Sequence, residues 1–331
     1  MYNSIGLDIS KRLIAVHIPI NNSDIEINNN ITGMRKLIYK LKKLYKKEYE
    51  NLVFIYEPTG SYSSLLTKFC NSKNIKCFII NPSQFSNHSK ALGQRVKSDK
   101  IDAQVLSKAI HLARKGEIKV PEYNEVVEEI KELMGYYKFT TKQRVQNSNH
   151  LESLKAKDGS KYAIKDLEKN INDLKEKESD IIYKIKTIIA SDDELLQGYN
   201  NITSITGIAD IGGIALLHLF IKYPEANQRQ ITSLAGLDPI GKSSGTSIQS
   251  KSKISKAGSV LYRGSIFLGA MSAIRYDENF KLFFDRLISK GKHTTAVQTA
   301  VMRKMIIIAH SLYKNNKRYD KEVYKKAMGI N

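Results

Sequence analysis

Four acidic residues near the start of the chain, Asp8, Glu57, Asp99 and Asp102, have types and spacings that suit metal-assisted phosphoryl chemistry. Asp8 stands inside the apolar run Ile5-Gly6-Leu7-Asp8-Ile9, where an unpaired carboxylate is costly unless a cation or hydrogen bonds compensate it. Glu57 ends a second apolar run, NLVFIYE, directly before the tight Pro58-Thr59-Gly60 turn. Asp99 and Asp102, in VKSDKIDAQVLS, are three apart and share one face of a helix. Singly, Asp99 or Asp102 reads as a helix cap or a surface charge, and Glu57 as a strand-end acid. Together, in the order strand, strand, helix pair, they point to a metal site. Two-metal phosphoryl transfer needs three or four carboxylates from different elements. Hard ions such as Mg²⁺ or Mn²⁺ prefer oxygen, and must sit about 3.5–4 Å apart to clamp both reacting oxygens.

The elements that must hold these acids follow from hydrophobic period. Residues 4–20 read as two short strands, the first with Ile5, Leu7 and Ile9 in alternation, the second with Leu13, Ala15 and His17. A helical period over 31–49, a strand running to Glu57, a helix near 61–72 and a strand over 76–82 alternate as in an α/β layer with a mostly parallel core. From about 123 to 190 the period is helical throughout. Ile164, Leu167, Ile171, Leu174, Ile181, Ile185 and Ile188 form a heptad seam broken by Glu178, and KAKDGS at 155–160 supplies a turn. The preceding apolar series, Ile130 to Leu154, is interrupted by Thr140, Arg144 and Asn147. This is a helical hairpin or coiled coil, serving as an intramolecular spacer or as a dimerisation arm, since heptads do not reveal whether the partner is in cis or in trans. From about 195 the chain reads as helices joined by Gly-bearing turns. Within it, ITSITGIADIGGIALLHLF at 202–220 is either half of a helix-hairpin-helix whose turn amides approach phosphate or a simple turn between core helices; Ala209 stands where such a hairpin usually has its second glycine.

Composition narrows the partners. The chain has 53 Lys plus Arg against 33 Asp plus Glu, a formal net charge of +20 that favours polyanions. No run approaches the roughly 18 apolar residues of a membrane span, and Asp8 and Lys11 are foreign to a secretory signal, so a soluble cytoplasmic protein with no membrane partner is expected. Cys70 and Cys77, with no histidine close in sequence, have neither a disulfide framework nor a zinc-site spacing and read as partly buried thiols.

The motifs GLDISK, YEPTG and KSDKIDA, in this order, resemble the amino-terminal domain of the IS110/IS1111-type insertion-sequence transposases, the DEDD transposases, a domain similar to the RuvC Holliday-junction resolvase. The resemblance implies a ribonuclease-H/RuvC-like α/β domain whose metal ligands are Asp8, Glu57, Asp99 and Asp102, each on its matching motif residue. The later block LAGLDPIGKSSGTSIQSKSKISKAGSVLYRGSIFLGA carries Lys251, Lys253, Lys256 and Arg263 with few acids and several hydroxyls. Alone, it is a flexible loop or a phosphate-backbone contact. It also resembles the carboxyl-terminal transposase domain of the same family, through Gly236-Leu237-Asp238-Pro239, Ser244-Gly245, Ile254-Ser255-Lys256-Ala257-Gly258 and Arg263, with Tyr262-Arg263 where the family often has Leu-Arg. In the family the serine before that glycine is the nucleophile, which implies Ser244; adjacent Ser243 is the alternative. A serine hydroxyl is weak at neutral pH and needs a base or a metal, so the two halves are expected to meet.

The resemblance further implies donor and target DNA as partners, a structured non-coding guide RNA (the bridge RNA), a homodimer or homotetramer, and a place at the prokaryotic nucleoid. Arg303 and Lys304, within AVQTAVMRKMIIIAHSL, could touch DNA or RNA, while Arg275, Arg286, Lys290, Lys292 and His293 read mostly as solvated helix faces. The expected organisation is a RuvC-like catalytic domain over 1–120, a helical coiled-coil hairpin over 121–194 and a mostly α-helical transposase domain with its serine nucleophile over 195–331. The rival enzyme is a RuvC-like junction endonuclease in which metal-activated water attacks and Ser244 is only a loop residue. The rival from another class is a non-catalytic nucleic-acid-binding protein with a decayed nuclease domain, against which all four acids argue.

Overall fold

The computed structural model describes residues 2–93, 98–241, 243–244, 248–249 and 253–327, without the side chains of 243, 244, 248, 249, 326 and 327. The chain forms two compact units, Met1–Asn124 and Glu125–Asn331.

In the first unit, β1 (Asn3–Ile9), β2 (Leu13–Ile18), β3 (Ser23–Asn28), β4 (Leu52–Tyr56) and β5 (Lys76–Ile79) make one sheet in the order β3-β2-β1-β4-β5. Strands β1, β2 and β3 are an antiparallel meander, while β1, β4 and β5 run parallel. The sheet is therefore mixed rather than mostly parallel. Connections of a few residues can only reverse the chain, and β3, with Ile25 and Ile27 alternating with Asp24 and Glu26, is a half-buried strand that the sequence reading passed over. The parallel pairs are bridged by α1 (Ile31–Tyr45) and α2 (Ser64–Ser72), long enough for a crossover. Asn30 starts α1 by accepting the Gly33 N–H at 2.8 Å.

The period of two gives the sheet two different faces. Ile5, Leu7 and Ile9 of β1 pack with Ile14, Val16, Phe54 and Tyr56 and with Met34, Leu37 and Leu41 of α1. The opposite face carries Gly6 and Asp8. Helices α3 (Pro82–Ala91) and α4 (Asp99–Lys108) follow β5, and α4 lies directly on β1 at Gly6. A Cβ on Gly6 would stand 1.9 Å from the Ala103 carbonyl oxygen and 2.5 Å from the Ser107 nitrogen. Both are backbone atoms, so the helix can come this close only over a glycine.

The second unit begins with α5 (Glu125–Ala156) and α6 (Lys161–Ala190), joined by a turn with Asp158 in the left-handed region (φ 50°) and Ser160 capping α6. The heptad seam of α6 finds its partner in α5 of the same chain. The two interruptions also meet, for Arg144 Nε donates to Glu178 Oε1 at 2.8 Å, and a lone charge in either seam would be costly without the other. At the base, Ile130, Met134, Ile181, Ile185 and Ile189 enter one core with α7 (Asp193–Thr203), α8 (Asp210–Lys222), α9 (Gln228–Leu234), α10 (Val260–Tyr276) and α12 (Thr294–Asn315). Helices α11 (Glu278–Ser289) and α13 (Lys321–Ala327) complete the body. Gly207 (φ 92°) and Gly269 bring the α7–α8 turn against α10 backbone to backbone, with Ile205 and Ile208 buried in the core. At the start of α8, Asp210 already accepts from Tyr199 Oη and Lys186 Nζ. Among the described residues no helix is long and apolar enough to cross a membrane.

Gly6→Ala tests the seat of α4. The substitution should cost about 1–3 kcal/mol in denaturant unfolding of the first unit, the range for forcing an extra methyl into a closed contact. An unchanged midpoint would mean that α4 is free to lift.

Candidate active site

Strand register places the first two acids side by side. In the parallel pair Leu7 lies opposite Tyr56, so Asp8 and Glu57 continue the same register at the carboxyl ends of β1 and β4 and fall on the same face. The same face receives α4. Ser98 caps that helix by accepting the Ile101 N–H, and Asp99 and Asp102 occupy its first turn, where the helix dipole favours negative charge. Asp102 is buried. Thus strand, strand and helix bring the four predicted acids into one neighbourhood.

Their mutual influence is read at Asp8. Burial pushes its carboxyl up from 3.8 to about 6, and the charges of Asp99, Asp102 and Glu57 add to the rise, partly opposed by the Ile9 N–H. Among the described residues no three His, Cys, Asp or Glu side chains stand close enough to hold one ion as placed. The acids share a field rather than a closed ligand shell. Chemically the set fits a divalent cation, since all four donors are carboxylates and their repulsion around Asp8 is what positive charge would relieve.

A second group of residues, absent from the sequence reading, ties down α4. Gln104 Nε2 donates to Asp24 Oδ2 at 2.8 Å, and the other oxygen, Oδ1, lies 2.7 Å from Nδ1 of the buried His17. Desolvation pushes the Asp24 carboxyl up, but hydrogen bonds from His17 and Gln104, with the charges of His17 and Lys100, together outweigh it and hold the group below its ordinary range. The link runs from β2 through β3 to the helix that carries Asp99 and Asp102. Its sequence signal was the SDIEIN alternation, which puts Asp24 opposite His17 in the ladder.

In the second unit the serine lies on an arm. Strands β6 (Pro239–Ile240) and β9 (Lys253–Ile254) pair antiparallel at its root, and β7 (Ser243–Ser244) pairs with β8 (Ile248–Gln249) further out. Ser244, opposite Ile248, is on the outermost rung before residues 245–247. The side chains of Ser243 and Ser244, and Lys251 altogether, lie outside the described residues. Lys253 and Lys256 are exposed, the latter in the left-handed region at φ 55°. Lys304 sits over the Phe283 ring at 5.8 Å. Arg263 and Arg303 face inward: Arg263 Nη1 donates to the Ala235 and Gly258 carbonyls at 3.2 Å each, and Arg303 Nε donates to the Leu237 carbonyl.

Two outcomes follow from the acid cluster. Because the folded-state value of Asp8 is raised, its ionisation opposes folding; the penalty is absent below 3.8, grows as pH rises, and is complete above about 6. Asp8→Asn should therefore raise Tm of the metal-free protein at pH 7.5 by about 2–4 °C, with the gain disappearing near pH 4. A drop at pH 7.5 would show that the Asp8 charge is already compensated. Gln104→Ala should weaken Mn²⁺ binding about tenfold in a titration followed by electron paramagnetic resonance, with little change in Tm. Equal affinity would mean that the Gln104–Asp24 link does not position the acids of α4.

Comparison with known proteins agrees in both units. Residues 5–154 match the IS110-type DEDD transposases, described as "Transposase", and residues 199–285 match "Transposase IS116/IS110/IS902 family". The chain is similar to pilin gene-inverting proteins of Moraxella bovis and Moraxella lacunata, each 27% identical over 334 residues, covering 97% of this chain and 98% of the relative. With the transposase match beginning at β1 and the second spanning the arm, the chain belongs to the IS110 family of transposases.

Proposed function

We propose that this protein cuts and exchanges DNA strands as the recombinase of an insertion sequence, with Ser244 as the attacking residue and Asp8, Glu57, Asp99 and Asp102 as the holders of Mg²⁺ or Mn²⁺. The observation that carries this reading is the raised Asp8 carboxyl, driven up by burial and by the other three acids. Such a cluster is costly to fold and chemically apt for a cation. The strand order β3-β2-β1-β4-β5, with α4 over the acid-bearing face, supports a ribonuclease-H-like first unit.

Ser244 Oγ attacks the DNA phosphorus, a phosphoserine link forms, and the deoxyribose oxygen leaves with a proton. Attack by the hydroxyl of another strand reverses the step and frees the serine. The link conserves the phosphodiester, so exchange needs no energy source. A divalent cation at the carboxylates would polarise the phosphate and stabilise the developing charge. Exposed Lys253 and Lys256, with Lys251 and Lys304, supply positive charge for nucleic-acid backbone. The formal charge of +20 favours both DNA and a structured guide RNA, and a homodimer or homotetramer would bring one serine to each of the strands exchanged. The relatives' name, pilin gene-inverting protein, speaks of the inversion of a gene, a DNA rearrangement that agrees with the strand exchange proposed here.

The test is a denaturing gel of the purified full chain with donor and target DNA, RNA transcribed from the flanking non-coding DNA, and Mg²⁺. A covalent protein–DNA adduct that disappears in Ser244→Ala and in Asp8→Ala, with nucleic-acid binding kept, is the expected result. Adduct-free, Mg²⁺-dependent cleavage that survives Ser244→Ala would instead mark a nuclease that activates water.

A further inference from the structure

The root of the serine arm is a close crossing of two chain segments. Leaving the body, the chain passes Ala235, Gly236 and Leu237; returning, it passes Ser255, Lys256 and Gly258. These two passages cross backbone on backbone. A Cβ on Gly258 would lie 1.9 Å from the Leu234 carbonyl oxygen, and one on Gly236, whose φ is 67°, would lie 2.4 Å from Arg263 Nη1. Ala235 and Leu237 are fully buried. The Ser255 N–H donates to the Asp238 carbonyl at 2.9 Å, and the Lys256 N–H to the Gly236 carbonyl at 3.1 Å. Ser255 Oγ also donates to Asp238 Oδ1.

Two guanidinium groups from the helical body close this crossing. Arg263 of α10 ties the outgoing Ala235 carbonyl to the incoming Gly258 carbonyl, and Arg303 of α12 holds the Leu237 carbonyl one residue before Asp238. Burial lowers the pKa of Arg303, and the nearby Asp238 carboxylate opposes that only in part. A buried carbonyl without a donor is expensive, and a guanidinium that satisfies one is poorly placed to wrap a phosphate with the same N–H.

We propose that Arg303 and Arg263 are positioning residues that set the direction of the serine arm, rather than contacts to nucleic-acid backbone. The consequence for chemistry rests on Ser244 being the attacking residue; the structural role does not. At about 3.3 Å per residue, the five steps from Pro239 to Ser244 span at most about 16 Å, so a tilt of about 10° at the root moves the serine by up to roughly 3 Å. A displacement of about 1 Å is enough to cost some 10²-fold in rate.

The experiment uses the full chain carrying Arg303→Gln, with Arg303→Lys as a conservative partner able to donate to the same carbonyl. Three readouts are taken: amide hydrogen exchange over 253–258, affinity for a short DNA duplex across a salt series, and adduct yield with Ser244→Ala alongside. The expected result is at least tenfold faster exchange at Ser255 and Lys256 in Arg303→Gln, duplex affinity and salt slope within twofold of wild type, and partial restoration of protection in Arg303→Lys. Adduct yield should fall about 10²-fold in Arg303→Gln and recover in part with Lys. Unchanged exchange overturns the proposal, as does weaker duplex binding with a salt slope lower by about one, which identifies a phosphate contact. If wild type forms no adduct, or Ser244→Ala keeps it, the reading of Ser244 fails, while the exchange and affinity readouts still decide the role of Arg303.

Discussion

Negative charge gathered around a half-buried aspartate resists folding, and the first unit is organised around holding it there. Asp8 lies on the central strand of the sheet, and Glu57 directly follows the neighbouring parallel strand, so the ladder between β1 and β4 keeps the two acids near one another. Asp102 is carried in by α4, whose approach depends on the missing side chain at Gly6. Burial of Asp8 and repulsion from the other three act in the same direction, which is why its carboxyl moves so far from its ordinary range. A surface cluster would spread apart and be screened; this one is attached to rigid elements.

That constraint explains features that otherwise look incidental. Helix α4 is seated by a glycine contact and by the Gln104–Asp24–His17 chain, one acting through backbone and the other through side chains from two further strands. A helix bearing two acids towards a third needs such an opposing grip. The edge strand β3 thereby acquires a role beyond covering β2, since it supplies Asp24.

The second unit meets a related demand with different means. Its core is assembled from helices that approach through glycines, as at Gly207 and Gly269, and the two helices of its long hairpin are joined by the ion pairs Arg144–Glu178 and Lys155–Glu168 as well as by their apolar seam. The segment with Ser244 is poor in apolar residues, and at its root Gly236, Gly258 and two guanidiniums meet.

Local sequence was sufficient for whatever depends on period or on residue type. The alternation in β1, the apolar run of β4, the heptad seam and the helical spacing of Asp99 and Asp102 each identify an element without reference to any other, and the acidic motifs single out the residues proposed to hold the cation. Alternation cannot say which strands pair, however, so a mostly parallel core was expected where a meander of three strands makes the sheet mixed. Nor does a seam reveal its partner, and Arg144 and Glu178 look like two defects until the hairpin closes and makes them a pair. Arg263 and Arg303 show the limit most clearly. In sequence they are basic residues beside a loop; only the tertiary structure brings the carbonyls of Ala235 and Leu237 within reach of Arg263 and Arg303, because those groups come from segments distant along the chain. Charge and period are properties of a segment, whereas the partner of a hydrogen-bond donor is decided by where the whole chain brings its acceptors.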